Sequence, residues 1–271
     1  MRYLRACLAA VTVAVAAPTA AAAATAPPGY TIVKGPMLPV PASTGGTSTT
    51  VGCPLGTVIW GGGAGFFVFP GSRLTVDTTA PFGAGMWTAH VGNLTGMPQQ
   101  FAVDAVCAKQ PKGYRIVVKT TDSPGLTQTT ATATCPTKTV VLSGGVTSTS
   151  TSAVTHVLSA WAPKHTTFRA ILWNGTGDDQ TMSVFAVCGQ QPPGYTITHA
   201  SSTMPPNGVN LAGGVCPAKT TVVSGGFKVS APNPGIRLDK SLEDGPHNWD
   251  IDLTNGGATT VQLTTSAVCA G

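Results

Sequence analysis

Short runs of β-branched and aromatic residues recur along the chain, and segments rich in Gly and Pro separate them. In the first third of the chain these runs cover residues 30–33, 57–60, 74–76, 87–91 and 101–107. In the last run, apolar side chains occupy every second position, as in a β-strand with one buried face. The pattern predicts about five short strands, arranged as a small antiparallel β-sandwich or barrel.

The same pattern occurs three times, with a period of about 81 residues. Each unit opens on Pro-x-Gly-Tyr, continues with Cys-Pro and a Gly-Gly pair, and closes with Ala-Val-Cys. An aromatic residue is followed six positions later by Asn at Trp87 and Asn93, Phe168 and Asn174, and Trp249 and Asn255. We expect each Asn in the turn before the last strand, where Asn tolerates a left-handed backbone. The chain is therefore predicted to be all-β, with three tandem sandwich-like repeats over residues 25–110, 111–191 and 192–271.

The first 24 residues have the features of a secretory signal peptide. Arg2 and Arg5 are basic, residues 6–17 are apolar, and residues 22–24 fit the small-x-small rule for cleavage. Retention of this segment as an N-terminal anchor is the alternative. Cleavage removes Cys7 and both arginines, which lowers the net charge from +5 to +3. No later segment has 18 consecutive apolar residues, so we expect a secreted, extracellular protein without a transmembrane segment.

Six cysteines remain after cleavage, and an even number in a secreted chain indicates disulfides. Of the 15 possible connectivities, one gives every repeat the same internal bridge. That scheme pairs Cys53 with Cys107, Cys135 with Cys188, and Cys216 with Cys269. It joins the start of the second predicted strand to the end of the last, so we expect these strands to be antiparallel neighbours.

The joints between repeats are short and contain Pro, at residues 109–111 and 190–192. Such joints favour units that pack against each other, with pseudo-threefold symmetry as one arrangement. Independent modules on a string are the alternative.

Composition excludes several classes of protein. The hydrophobic share of 42% is too high for a wholly disordered chain. Only 9% of the residues are charged, and Glu occurs once, at Glu243, which argues against long surface helices. The basic residues are scattered rather than clustered, so no nucleic-acid partner is predicted.

The sequence predicts no catalytic residues, no metal site and no cofactor. The five histidines do not recur between repeats and lack metal-ligand spacing; they are His90, His156, His165, His199 and His247. Repeat 3 carries five of the ten acidic residues, namely Asp239, Glu243, Asp244, Asp250 and Asp252. A solvated loop and an outward strand face explain them best. A weak Ca²⁺ site and a hydrolase carboxylate pair are the alternatives.

Two features suggest contact surfaces. Repeat 1 alone carries an apolar run with Phe66, Phe67 and Phe69, suited to a partner, a lipid surface or a neighbouring repeat. Repeat 2 carries Trp161 and Trp173, which suit stacking on sugars if they are exposed; burial in the core is the more common fate of Trp. Asn93 and Asn174 also match the acceptor pattern for glycosylation, although their turn role accounts for all three equivalent Asn residues.

The motif Cys-Pro-x-x-Thr-Val-Val-x-x-Gly-Gly, followed by the strand aromatic with its Asn and by Ala-Val-Cys-Ala, covers essentially the whole mature chain. It resembles a repeat found in secreted proteins of high-GC Gram-positive bacteria such as streptomycetes. Repeat 2 departs from it with Phe168 in place of Trp. The resemblance implies a secreted repeat protein and carries no established activity, so it assigns no functional residue.

These observations favour a secreted, non-enzymatic binding or surface-associated protein that recognises extracellular or cell-wall polysaccharide. A second hypothesis is a protein-targeting factor, such as an inhibitor or toxin-complex subunit, that uses the apolar run of repeat 1 to contact a protein partner. A third is a hydrolase that uses Asp250 and Asp252.

Overall fold

The computed structural model describes residues 26–42, 44–66 and 74–271. The predicted signal peptide and the side chains of Phe67 and Phe69 lie outside the described residues. The described chain is all-β, as predicted, and its strands form three antiparallel sheets.

Each repeat has six strand positions, which we name A to F in chain order. In repeat 1, position A is divided into β1 (Thr31–Lys34) and β2 (Leu38–Val40), and B to F are β3 (Thr44–Gly52), β4 (Val58–Phe66), β5 (Leu74–Pro81), β6 (Met86–Asn93) and β7 (Gln99–Ala108). Repeat 2 contains β8 (Arg115–Ser123), β9 (Thr127–Thr134), β10 (Val140–Ser148), β11 (His156–Lys164), β12 (Thr167–Asn174) and β13 (Gln180–Gly189). Repeat 3 contains β14 (Thr196–Met204), β15 (Gly208–Val215), β16 (Thr221–Val229), β17 (Ile236–Glu243), β18 (Asn248–Asn255) and β19 (Val261–Ala270).

Strand B was missed by the sequence prediction of five strands per repeat. In repeat 2 this strand, β9, has the sequence TQTTATAT, and it forms the edge of its sheet beside β12. Its buried positions are filled only by small residues, Ala131 and Ala133. Since Thr and Ala alternate with little contrast in hydrophobicity, the period-2 signal is too weak to identify the strand.

No sheet is built from a single repeat. Each sheet joins strands A, F and C of one repeat to strands D, E and B of another, in the orders β1-β7-β4-β17-β18-β15, β3-β6-β5-β10-β13-β8 and β14-β19-β16-β11-β12-β9. Strand D of one repeat thus pairs with strand C of the next, in a cyclic 1–2, 2–3, 3–1 arrangement with pseudo-threefold symmetry. We call these three C–D junctions the seams. The repeats are therefore interlocked, and the alternative of independent modules is wrong.

The Gly-Gly pair of each repeat permits two different close approaches. A Cβ on the first glycine would lie 2.5 Å from Trp87 at Gly62, 2.2 Å from Phe168 at Gly144, and 2.1 Å from Trp249 at Gly225. The strand-E aromatic of the repeat therefore packs directly on glycine backbone. A Cβ on the second glycine would meet a backbone carbonyl on strand D of the neighbouring repeat. The distances would be 1.8 Å from Gly63 to Ser241 O, 2.4 Å from Gly145 to Thr79 O, and 2.5 Å from Gly226 to Ala160 O. The first glycine thus leaves room for the core aromatic, and the second leaves room for the neighbouring strand at the seam.

The tyrosine of each Pro-x-Gly-Tyr turn also links two repeats. The hydroxyl of Tyr30 donates to Val222 O at 2.8 Å, that of Tyr114 to Ile59 O at 2.9 Å, and that of Tyr195 to Val141 O at 2.7 Å. Burial raises the pKa of all three phenols. Each turn motif therefore anchors a neighbouring repeat as well as starting a strand, which explains why it recurs in all three repeats.

The equivalent Asn residues are structural. Each is fully buried, and its side-chain amide donates to a backbone carbonyl at the end of strand A, as Asn93 does to Val40 O at 3.0 Å. Its side-chain oxygen accepts the N–H two residues later, from Thr95, Thr176 and Gly257 in the three repeats. Among the described non-glycine residues with positive φ, none is one of these Asn. Side-chain hydrogen bonds, rather than a left-handed backbone, explain Asn here, and its burial leaves no access for a glycan.

The three disulfides join the pairs predicted from the repeat, with Cα–Cα distances of 5.7, 5.6 and 5.6 Å. The second and last predicted strands of each repeat are antiparallel neighbours, as expected; in repeat 1 they are β4 and β7. The first cysteine of each bridge, however, lies outside that strand pair. Cys53 follows β3 by one residue and extends its pairing through a hydrogen bond to Gly85 O, whereas Cys107 lies in β7 of another sheet. Each bridge therefore ties two sheets together within its repeat and does not link neighbouring strands of one sheet.

Removal of one bridge is expected to destabilise the whole chain. The repeat 2 bridge closes a loop with a sequence separation of 53, so the double variant Cys135→Ala/Cys188→Ala should lose about 4 kcal/mol of unfolding free energy. Urea unfolding followed by Trp fluorescence measures the loss. Because the repeats share sheets, we expect one cooperative transition; a separate early transition of repeat 2 would contradict the interlocked fold.

Candidate binding site at the seam between repeats 2 and 3

A cleft of about 290 Å³ opens where strand D of repeat 2 meets repeat 3. We call it the Trp161 cleft. Strand β11 supplies one wall, and β14, β16 and β19 supply the other. The residues that line it are Trp161, Ala162, Pro163, His199, Lys228, Thr264 and Ser266.

Trp161 forms the aromatic surface of this cleft. It follows Ala160, which pairs with Phe227 across the seam, and its side chain remains half-buried. Two cations lie beside the indole: the Arg169 guanidinium is 5.8 Å and the Lys228 ammonium 6.0 Å from the ring centroid. Arg169 lies opposite Trp161 in the β11–β12 hairpin, and its Nε donates to Thr132 Oγ1 at 3.1 Å. The guanidinium is therefore held in place next to the ring.

The opposite wall is polar. His199 of β14 pairs in register with Ser266 of β19, and Thr264 lies two residues earlier on the same strand. Ser266 is buried, and its hydroxyl donates to Gly226 O at 3.3 Å. The cleft thus combines an indole, two hydroxyls, an imidazole and the Lys228 ammonium, with the Arg169 guanidinium beside the indole. Such a combination of an apolar platform with a few polar groups is typical of ligand sites.

The equivalent position at the seam between repeats 1 and 2 is apolar. There the registers place Val118 opposite Phe185, and Phe82 takes the position of Pro163. Phe82 is 60% exposed and Val118 is 50% exposed. The scaffold is the same, but no charged side chain takes the place of Lys228, since Thr147 stands there.

The equivalent position at the seam between repeats 3 and 1 contains a buried acidic pair. Asp104 of β7 and Glu243 of β17 are both buried, and the carboxyl of Asp104 accepts the N–H of Gly35 at 3.0 Å. Burial, followed by repulsion from Asp104, raises the pKa of Glu243 to about 8. The ammonium of Lys34 lies 3.8 Å from Glu243 Oε1 but is largely exposed. Glu243 therefore belongs to a seam between repeats and not to a repeat 3 acidic cluster.

Among the other acidic residues of repeat 3, Asp250 and Asp252 both lie near Lys240, and Asp239 has a different partner. Asp250 accepts from Lys240 at 2.8 Å, and Asp239 accepts from Thr254 Oγ1 at 2.6 Å. Asp252 lies opposite Lys240, and burial raises its pKa. Within residues 26–42, 44–66 and 74–271, no three His, Cys, Asp or Glu side chains form a group suited to hold a metal ion.

One buried polar pair was not predicted. Asp77, in a β-bulge of β5, is fully buried, and its Oδ2 is 2.5 Å from His90 Nδ1 on β6. Burial lowers the pKa of His90, but the hydrogen bond and charge of Asp77 outweigh burial and leave it raised. The pair was not predicted because Asp77 lies in a bulge, where the period-2 pattern is interrupted.

The predicted contact residues are separated in the fold. Phe66 is buried in the core, with its ring centroid 6.3 Å from that of Phe101, so it is not a surface residue. Trp173 packs at the margin of the core, opposite His156 and far along the hairpin from Trp161. Of the predicted residues that the structure describes, Trp161 is the one that lines the cleft described above. Its partners His199, Lys228 and Arg169 were missed because they come from three other strands and share no motif.

In the part of the chain that the structure describes, no helix has the length and apolarity to cross a membrane. The three disulfides indicate an oxidising compartment outside the cytoplasm. No protein-family model matches the chain, and no curated protein shows significant similarity to it.

Proposed function

We propose that this chain is a secreted, non-enzymatic binding protein that recognises extracellular or cell-wall polysaccharide through the Trp161 cleft. The observation that carries the proposal is a half-buried indole in an open cleft, surrounded by hydroxyl, imidazole and cationic groups. The apolar face of a sugar ring stacks on such an aromatic surface while its hydroxyls bond to the polar wall.

The construction of the cleft supports the proposal. Its two walls come from different repeats, and the seam between them is fixed by backbone pairing of Ala160 with Phe227 and by the close approach of Gly226 to Ala160 O. A site on paired strands is more rigid than one on loops, so a ligand orders few groups when it binds. The disulfides that tie the sheets together suit work outside the cell.

Binding is tested by retention of the mature protein on insoluble polysaccharides and whole cell walls, with a reduced and unfolded sample as control. We expect the folded form alone to be retained and soluble sugar to compete. Trp161→Ala should weaken the affinity at least about tenfold, because a central Trp commonly dominates the binding energy of a site.

Trp173→Phe is the matched control, since Trp173 lies outside the cleft, and it should bind like the parent protein. Circular dichroism verifies that both variants are folded. Retention of Trp161→Ala at the parent level would remove the cleft from the proposal, and no retention of the folded parent on any matrix would overturn polysaccharide binding.

A protein partner is the second candidate, and the exposed apolar residues of the seam between repeats 1 and 2 favour it. Phe82 and Val118 are both exposed and offer a partner an apolar contact at this seam. This candidate predicts that Phe82→Ser abolishes co-purification of a secreted protein partner and leaves retention on polysaccharide unchanged.

A further inference from the structure

We infer that the Trp161 cleft selects saccharides that carry an anionic substituent: a carboxylate, a sulfate or a phosphate. The inference rests on the proposed function and adds the class of ligand. It depends on the two cations beside the indole, which neutral sugars do not require.

Neither cation has a carboxylate partner in the fold. In residues 26–42, 44–66 and 74–271 the ion pairs are Lys34–Glu243, His90–Asp77 and Lys240–Asp250, and none includes Arg169 or Lys228. The residues that line the cleft include no acidic side chain. Two uncompensated positive charges at one aromatic ring produce a local potential that attracts an anion.

The fold does not require these cations. Gly65 and Thr147 occupy the position of Lys228 at the other two seams, as the strand-C registers show. Asp250 occupies the position of Arg169 in repeat 3, and Thr88 occupies it in repeat 1. The pair of cations is therefore a property of this seam alone and not of the repeat.

The geometry suits an anionic substituent on a sugar bound beside the indole. The guanidinium of Arg169 is oriented by Thr132 and presents N–H groups that match two oxygens of a carboxylate, sulfate or phosphate. Lys228 supplies a mobile point charge on the same side of the seam as His199 and Ser266. Arg169 and Lys228 lie on β12 and β16, the strands on either side of β11, so a sugar bound beside the indole can place an anionic substituent against either cation.

The test compares polymers that differ only in charge. Polygalacturonate is measured against its fully methyl-esterified form, and dextran sulfate against dextran, by calorimetric titration of the mature protein at low and high salt. We expect about tenfold tighter binding of each anionic polymer, since hydrogen bonds between charged groups are stronger than neutral ones. The difference should shrink as salt is added. Glycerol phosphate polymer serves as the phosphate probe.

Arg169→Gln/Lys228→Gln should remove the preference for the anionic polymer. The control, Arg115→Gln/Lys119→Gln, removes the same charge from exposed positions of β8 and should retain the preference. Equal binding of charged and neutral polymers, lost in Trp161→Ala, would overturn the inference and leave the proposed function standing. Equal losses in the two double variants would also overturn it, since they would indicate diffuse attraction. No binding of any polymer would overturn both.

Discussion

The free energy of unfolding should fall as pH rises from 6.5 to 8, and Glu243 should be the main cause. Its pKa is about 8 in the fold against 4.5 in the unfolded chain, so the folded state holds a proton that the unfolded state has released. The stability contributed by Glu243 is therefore complete below pH 4.5 and is lost progressively as pH rises from there toward 8. A single group in this window contributes a slope of up to about 1.4 kcal/mol per pH unit.

Two histidines with shifted pKa values also contribute to the pH dependence of stability. His90 has a raised pKa, so its contribution is also lost with rising pH and adds to that of Glu243. His156 acts in the opposite direction, because burial and the charge of Arg237 lower its pKa to about 3. It gives stability that rises with pH up to about 6.5, the ordinary value for an unfolded histidine. Above pH 6.5 this opposing contribution is complete.

Glu243→Gln isolates the effect. Gln has nearly the same shape, keeps no titrating group beside Asp104, and should flatten the pH dependence while stabilising the protein at pH 8. Asp244→Asn is the matched control, because Asp244 is the exposed neighbour, and should keep the parent slope. Urea unfolding at pH 6.5, 7.25 and 8 measures all three proteins. A parent-like slope in Glu243→Gln would show that the acidic pair does not hold the proton.

Gly145→Ala is expected to destabilise the protein by about 3 kcal/mol, in the range of an overpacked core. The new Cβ would lie 2.4 Å from Thr79 O and 2.5 Å from Ala80 Cα, both of which belong to backbone paired at the seam. Neither atom can move without breaking the junction of repeats 1 and 2. The cost should therefore appear as a lower denaturation midpoint for the whole chain.

Gly177→Ala is the control for this prediction. A Cβ at Gly177 meets nothing within 4 Å, and Gly177 does not have a left-handed backbone. We expect a change of less than about 0.5 kcal/mol there. If Gly145→Ala unfolds at the same urea concentration as Gly177→Ala, the second glycine of the pair is not required by the seam.

Local patterns were sufficient to predict the fold class and the covalent framework. A strand with one buried face alternates apolar and polar residues, as residues 101–107 do. This pattern predicts strands without tertiary information. The recurrence of the same landmarks gave the three repeats, and the repeat in turn gave the pairing of Cys53 with Cys107 and of its two counterparts. Trp161 was predicted only together with Trp173, as one of two tryptophans suited to stacking on sugars, and the local pattern did not separate the two.

The interlocking of the repeats was not accessible from these patterns. Strand pairing depends on which sheet edges remain uncovered, and the uncovered edge of strand C accepts strand D of another repeat. The sites at the seams therefore also depend on which strands pair. Asp104 of repeat 1 lies next to Glu243 of repeat 3, and Trp161 of repeat 2 lies near His199 and Lys228 of repeat 3. Alternating apolar and polar residues specify which face of a strand is buried. Which residues share a site is determined by the pairing of strands from different repeats, which depends on the free energy of the whole fold.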